Sequence, residues 1–270
     1  MMRIWIFCLL LGLSGNLCAQ VAKDSVTIRG TVTNYDGIPL DSVTVMWQSP
    51  SFNSVVQALT DKSGKYEARV PVGKYQSLIA VNFSRYTHFA KPELPKEERC
   101  LEFWAWDFIA DHDTTLDIRY DRMEVYGMRV FRIPGGMPAY QIYVRPMGLT
   151  RFQKWMDEAK DKSLIRGQVL DPKDNQEINV NAEGVLLAPP MDQLQARIWV
   201  DGEEVPILMK QEVKEYISKD QWHNAYLFTV NMPQATTDRP YCIFKMELTD
   251  LENGDRGEGL YYLEKENYKQ

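Results

Sequence analysis

The sequence predicts a mainly all-β chain, two β-sandwich-like domains in which the second carries one amphipathic helix, and three observations support that class. Apolar and polar residues alternate in period two, turn residues interrupt the alternation at short intervals, and one segment repeats its apolar residues at three- and four-residue steps. Period two marks strands because successive side chains point to opposite faces, whereas the longer steps place side chains along one side of a helix.

The alternation opens with Val26, Ile28, Gly30 and Val32 set against Thr27, Arg29, Thr31 and Thr33. Asn34-Tyr35-Asp36-Gly37 supplies a turn, Val43 to Trp47 resumes the strand pattern, Asp61-Lys62-Ser63-Gly64 turns again before Tyr66 to Val70, and Gly73 precedes Tyr75 to Phe83. Phe103-Trp104-Ala105-Trp106-Asp107-Phe108-Ile109 is the most aromatic stretch. As a strand it puts Trp104, Trp106 and Phe108 on one face and Phe103, Ala105, Asp107 and Ile109 on the other, so both faces are largely apolar. A surface platform needs one polar side, and a central strand buried between layers is therefore expected.

Leu116 to Ile133 and Tyr140 to Val144 flank Pro134-Gly135-Gly136-Met137-Pro138, which reads as a hairpin opening a second domain. With the boundary near Tyr120, the expected domains are 20–119 and 120–270, preceded by a signal peptide over 1–19. Thr150 is a candidate N-cap for a helix near 150–161 in which Phe152, Trp155, Met156 and Ala159 recur on one side. Further strands are expected around 196–200, 205–209, 226–232, 241–249 and 259–263, with Asp201-Gly202 as a tight hairpin turn.

The chain opens Met1-Met2-Arg3 and runs into the apolar stretch Ile4 to Leu13, which Ser14-Gly15-Asn16 interrupts. A basic start followed by a short apolar run is the order of a secretory signal peptide, and the run is shorter than the roughly 20 residues of a membrane-spanning helix. Cleavage after Ala19 leaves Gln20 as the new N-terminus, and a lipid on Cys18 is the competing reading, disfavoured by the bulky Leu17 before it. The expected address is exported: periplasmic, cell-surface or secreted, with no transmembrane segment after signal removal. Of 270 residues, 31 are basic and 37 acidic, a net charge of −6 without a basic patch, which argues against a nucleic-acid partner. Cys8 and Cys18 fall in the signal region, so Cys100 and Cys242 remain, too few for a disulfide framework and expected as buried thiols.

Ile28-Arg29-Gly30-Thr31-Val32, Asp36-Gly37-Ile38-Pro39-Leu40 with Val43 and Val45, Thr60-Asp61 through Gly64 to Tyr66, and Gly73-Lys74-Tyr75 together resemble the carboxypeptidase regulatory-like domain over residues 26–83. The resemblance implies a small transthyretin-like β-sandwich of the kind attached to exported proteins of Bacteroidetes-type bacteria. It says little about function. Ser84-Arg85-Tyr86 departs from the Gly-Tyr usual there, and the stretch Lys91 to Arg99 has no counterpart in the family.

No zincin, nucleophile-elbow, Walker or paired Cys-x-x-Cys motif occurs, and His88, His112 and His223 are scattered. No catalytic residue, metal ligand or cofactor is assigned. Asp107, Asp111, His112 and Asp113 are the densest group of possible ligands, and a secreted hydrolase built on them is the alternative function. Asp250 to Glu258 offers oxygens for calcium but misses the EF-hand spacing and reads as a polar turn. Trp222, among Asp220, Gln221, His223 and Asn224 with Tyr226 following, is the candidate ligand platform, since an aromatic face rimmed by amides can stack on a sugar. Asp24-Ser25-Val26, Asp41-Ser42-Val43 and Asp113-Thr114-Thr115 are similar to the O-glycosylation signal of such exported proteins, giving Ser25, Ser42 and Thr114 as acceptors. The expected function is a non-catalytic exported envelope protein, a binding or accessory module for a glycan or an envelope protein.

Overall fold

The computed structural model describes residues 24–86, 93–161, 187–218 and 221–265. The leader with its cleavage site, Cys18 and His88 lies outside them. The strands are β1 (Ser25–Thr33), β2 (Thr44–Gln48), β3 (Ser54–Leu59), β4 (Lys65–Pro71), β5 (Gly73–Lys74), β6 (Ser77–Val81), β7 (Phe103–Trp106), β8 (Ile109–Ala110), β9 (Thr114–Thr115) and β10 (Ile118–Arg119). They continue with β11 (Met123–Phe131), β12 (Ala139–Gly148), β13 (Leu194–Val200), β14 (Glu203–Glu204), β15 (Ile207–Ser218), β16 (Gln221–Asn231), β17 (Tyr241–Asp250) and β18 (Arg256–Glu264); helix α1 (Leu149–Asp161) follows β12. No helix among the described residues is long and apolar enough to cross a membrane.

These strands stack in three layers. A central eight-stranded sheet runs in the order β14-β13-β17-β18-β7-β6-β2-β3; β1, β4, β9 and β10 form a sheet on one side, and β11-β12-β16-β15 form one on the other. The first core, between the central sheet and the β1 layer, holds Val26, Ile28, Val45, Trp47, Leu78 and Phe103 among others. The second, between the central sheet and the β12 layer, holds Trp104, Trp106, Ile142, Val144, Phe228 and Phe244. The all-β, sandwich-like class is thus as expected. The central sheet takes β2, β3, β6 and β7 from before Tyr120 and β13, β14, β17 and β18 from after it, so the segments 20–119 and 120–270 share a sheet.

Two glycines mark close backbone approaches, Gly30 within the β1 sheet and Gly257 between the central and β12 layers. A Cβ on Gly30 of β1 would lie 1.9 Å from the Leu116 carbonyl oxygen, and one on Gly257 of β18 would lie 1.9 Å from the Met123 carbonyl oxygen, so neither position has room for a side chain. At the β13–β14 turn, Asp201 and Gly202 both have positive φ, 50° and 91°, the backbone that a two-residue hairpin demands. The hairpin expected about Pro134–Pro138 is present as β11 and β12.

β7 joins the halves. It pairs antiparallel with β6 and parallel with β18, Ala105 lying opposite both Leu78 and Leu260. Trp104 and Trp106 stack face to face in the second core, ring centroids 4.6 Å apart and planes 6° from parallel, while Phe103 and Ala105 belong to the first core. One expectation is corrected: Phe108 is not on the tryptophan face. The strand stops at Trp106, Asp107 takes φ 51°, and the twist delivers Phe108 to the first core against Tyr262 at 4.9 Å and Trp47 at 6.4 Å.

Helix α1 begins one residue before the expected cap, and Thr150 does not cap it. Asp255, in the turn between β17 and β18, accepts from the Thr150 N–H at 2.8 Å and from its hydroxyl at 2.8 Å. A carboxylate at a helix N-terminus satisfies donors that the helix cannot satisfy itself and suits the dipole. Cys100 and Cys242 are free, buried thiols.

Trp106→Ala removes a ring that fills the second core. The expected loss is roughly 3–5 kcal/mol of unfolding free energy, from transfer plus cavity. Urea titration followed by far-ultraviolet circular dichroism measures it; a loss under about 1 kcal/mol would mean that the ring is not packed as described.

Candidate functional site

The β11–β12 hairpin carries apolar side chains into solvent. Phe131, Ile133 and Met137 are 43%, 57% and 63% exposed, grouped about a tight turn in which the Gly136 N–H donates to the Ile133 carbonyl at 3.0 Å. Three large apolar side chains gathered at one exposed tip are more informative than the same three scattered, because a monomer usually buries or disperses them.

Beside this hairpin the two sheets around the second core part, leaving a cavity of about 570 Å³ at the ends of β11, β16 and β18 and the beginnings of β12 and β17. Val130, Phe131, Tyr140, Met232 and Leu263 give it apolar walls, and Arg132, Asp201, Glu264 and Lys265 supply charge. Both carboxylates are already neutralised: Asp201 accepts from the Arg239 guanidinium at 2.8 Å and the Ile243 N–H at 2.9 Å, and Glu264 from the Lys74 ammonium at 2.7 Å. The Lys265 ammonium donates to the Thr237 carbonyl. Arg132 has no hydrogen bond or ion pair among the described residues, and its charge acts on the Tyr140 phenol. Burial, then Cys242, pushes Tyr140 up to about 12, so its hydroxyl stays a donor at neutral pH; it contacts the Cys242 sulfur at 3.9 Å. An apolar cavity of a few hundred Å³ with a few convergent polar groups is the form that binding sites take.

The sequence pointed elsewhere. Tyr226, half of the proposed ligand platform, is fully buried and donates its hydroxyl to the Pro189 carbonyl at 2.5 Å. It alternates with Phe228 and Val230 along β16, and all three face the second core, so Tyr226 does not contact a ligand at the surface. Trp222 is on β16, paired with Tyr216 of β15; its side chain lies outside the described residues. Asp107 accepts from the Tyr261 hydroxyl at 2.9 Å, Asp111 contacts His112 at 2.6 Å and accepts from Tyr241 at 3.0 Å, and Asp113 accepts from the Thr27 N–H at 2.7 Å. Each is tied to a different strand. In the Asp250–Glu258 turn, Asp250 holds Arg151 through both oxygens at 2.6 and 3.0 Å and Asp255 holds Arg122 at 3.1 Å, so the oxygens that suggested calcium fix helix α1 instead. Among the described residues no three His, Cys, Asp or Glu side chains gather as a metal site. Of the proposed acceptors, Ser42 is exposed on a turn, while Ser25 and Thr114 are half-buried in strands.

A buried carboxyl pair escaped the sequence reading. Glu102 and Glu124 are neighbours that interact electrostatically; Tyr86 donates to Glu102 at 3.2 Å and the Trp104 indole N–H to Glu124 at 2.7 Å. Glu102 Oε2 is buried without a hydrogen-bond partner among the described residues, which makes a charge there costly. Burial raises both groups, Glu102 to about 7, and the neighbouring Glu102 charge raises Glu124 further. The available signal was weak: Glu124 sits between Met123 and Val125, all three buried.

Fold and cavity together define a three-layered β-sandwich with an apolar, partly cationic cavity at one end of its second core. Residues 27–94 match the carboxypeptidase regulatory-like domain. No curated protein matches the chain. Among solved structures, a DUF3823 family protein of Bacteroides ovatus is similar at 9% identity over 88% of this chain and 100% of its own, with a TM-score of 0.26. A candidate carbohydrate binding protein of Bacteroides uniformis is similar at 8% over 89% and 99%, TM-score 0.27, and the major pilin subunit of Bacillus cereus at 9% over 88% and 69%, TM-score 0.24. At these TM-scores none of the three carries an argument about residues or ligands.

The carboxyl pair gives a pH signature. An acid whose pKa is higher in the folded than in the unfolded chain binds more protons when folded, so its contribution to stability is present below the ordinary value of 4.5 and is lost as pH rises through about 7. His223, lowered by burial, acts oppositely near neutrality, so the comparison is with Glu124→Gln, whose amide can keep the indole bond and donate to Glu102. Between pH 5 and 8 the wild type should lose roughly 2–3 kcal/mol more than the variant in urea titrations. Parallel pH profiles would contradict a carboxyl raised by burial at Glu124.

Proposed function

We propose that the chain is a non-catalytic exported envelope protein, a binding or accessory module whose partner is another envelope protein. The observation that supports this is the exposed Phe131, Ile133 and Met137 group beside an apolar cavity. Apolar side chains gathered at an exposed turn are what a protein interface buries, with a cavity as the seat of an anchor from the partner. A sugar site asks instead for an exposed aromatic plane rimmed by hydrogen-bonding groups; Tyr226 is buried, and the exposed Phe131 is accompanied by the apolar Ile133 and Met137. The hydrolase alternative is less well supported, because Asp107, Asp111 and Asp113 are each held by a different partner.

On this reading the leader over 1–19 exports the protein, cleavage follows Ala19, and the module works in the periplasm or at the cell surface without a cofactor. Exposed on a turn, Ser42 is the proposed acceptor for an O-glycan.

Replacing Ile133 and Met137 together by Asp should leave the melting temperature within a few degrees and weaken capture of the envelope partner by about a hundredfold or more. Cross-linked pull-down from native envelopes, quantified for wild type and double variant in parallel, measures this. Retention of the same partner by the variant, or saturable binding of a polysaccharide by the wild type, would contradict the protein reading.

A further inference from the structure

Four features of the cavity bear on its occupant. Its walls are apolar, through Val130, Phe131, Met232 and Leu263. Its two carboxylates carry their own counter-ions, Arg239 on Asp201 and Lys74 on Glu264. Two further cations line it, Lys265 and Arg132, and Arg132 has neither hydrogen bond nor ion pair among the described residues. The Tyr140 hydroxyl, whose hydrogen bond among the described residues is a 3.9 Å contact with sulfur, is available as a donor. Of the charged groups in the lining, the two carboxylates are paired and Arg132, among the described residues, is not, and Tyr140 adds a donor. A complementary ligand is therefore apolar, carries an acceptor and is negatively charged.

Resting on the reading of a protein partner, we propose that the cavity receives the C-terminal residue of that partner, an apolar side chain against Met232 and Leu263 with its α-carboxylate on Arg132 and Tyr140. Geometry distinguishes a chain end from an internal acidic residue. In an extended segment neighbouring side chains point to opposite faces, so an internal Asp or Glu next to an apolar anchor turns away from the cavity that the anchor fills. A terminal carboxylate is attached to the same Cα as its own side chain and enters with it. Capture of a terminal carboxylate is an established mode of peptide recognition, and the exposed Ile133 and Met137 would flank the residues that precede the terminus.

The test uses the full chain labelled at methionine methyl groups, so that Met232 reports from inside the cavity. Six-residue peptides ending in Leu or Phe are titrated as free acids and as C-terminal amides. The acid should bind about tenfold tighter than the amide, because one charge-assisted contact is lost on amidation. Arg132→Ala, an exposed substitution that should not alter folding, should bring the ratio below about threefold, and Arg132→Lys should restore part of it. Equal binding of acid and amide, or no shift of Met232 with either, overturns the proposal. Tighter binding of decanoate than of any peptide acid also overturns it and assigns the cavity to a free acyl carboxylate. If the hairpin double variant loses its partner while acid and amide bind alike, the cavity inference fails alone and the protein-partner reading stands.

Discussion

A strand buried on both faces constrains everything around it. Every main-chain group of β7 needs a partner strand on each side, and both of its faces need an apolar layer. β6 supplies one edge and β18 the other, across about 150 residues of intervening chain, since parallel neighbours cannot be joined by a short turn. Trp104 and Trp106 then fix how closely the β12 layer can approach, with the Arg129 guanidinium 4.8 Å above the Trp106 ring. Burying Trp104 also buries an indole N–H that must be satisfied, and Glu124 satisfies it at 2.7 Å. The carboxyl pair is a consequence of the tryptophan stack: one buried donor calls for one buried acid, and the acid meets Glu102.

The same arrangement leaves the cavity where it is. The two sheets around the second core are held together near β7, β11 and β18, where Gly257 allows backbone contact with Met123. At the far ends of β11, β16 and β18 the sheets enclose the cavity instead. The side chains there are Met232 and Leu263 on the walls and Phe131 half-exposed, too few to close the gap, and the polar groups Tyr140 and Arg132 face it. The Asp250–Asp255 turn, at the other end of β17 and β18, spends its carboxylates on Arg151 and Arg122 and so anchors α1.

Much of the fold was legible in the sequence because alternation and turn chemistry are local. Asp201-Gly202, the Pro134–Pro138 hairpin and the buried Phe103–Trp106 strand could be read from a few neighbours each. The sharing of one sheet by 20–119 and 120–270 was not, since no local pattern reports that β18 pairs with β7. Phe108 was misplaced because period two was carried past Asp107, whose positive φ breaks it. The candidate site was less legible still. Tyr226 follows Trp222 and its polar neighbours in the sequence, but the alternation of β16 turns it with Phe228 and Val230 into the second core, whereas the cavity is assembled from strand ends distant in sequence. Only the apolar Ile133 and Met137 beside a turn, where polar residues are usual, hinted at it.

The central claim is that β7 makes the two halves a single cooperative unit. Native-state hydrogen exchange read residue by residue tests it most directly. One unit predicts that the slowest amides of β1 and β4, of β7 and β18, and of β12 and β16 share one opening free energy, equal to that of global unfolding. A block comprising residues 24–119 that opens at a distinctly lower free energy than 120–265, with β7 exchanging among the early openers, would contradict it.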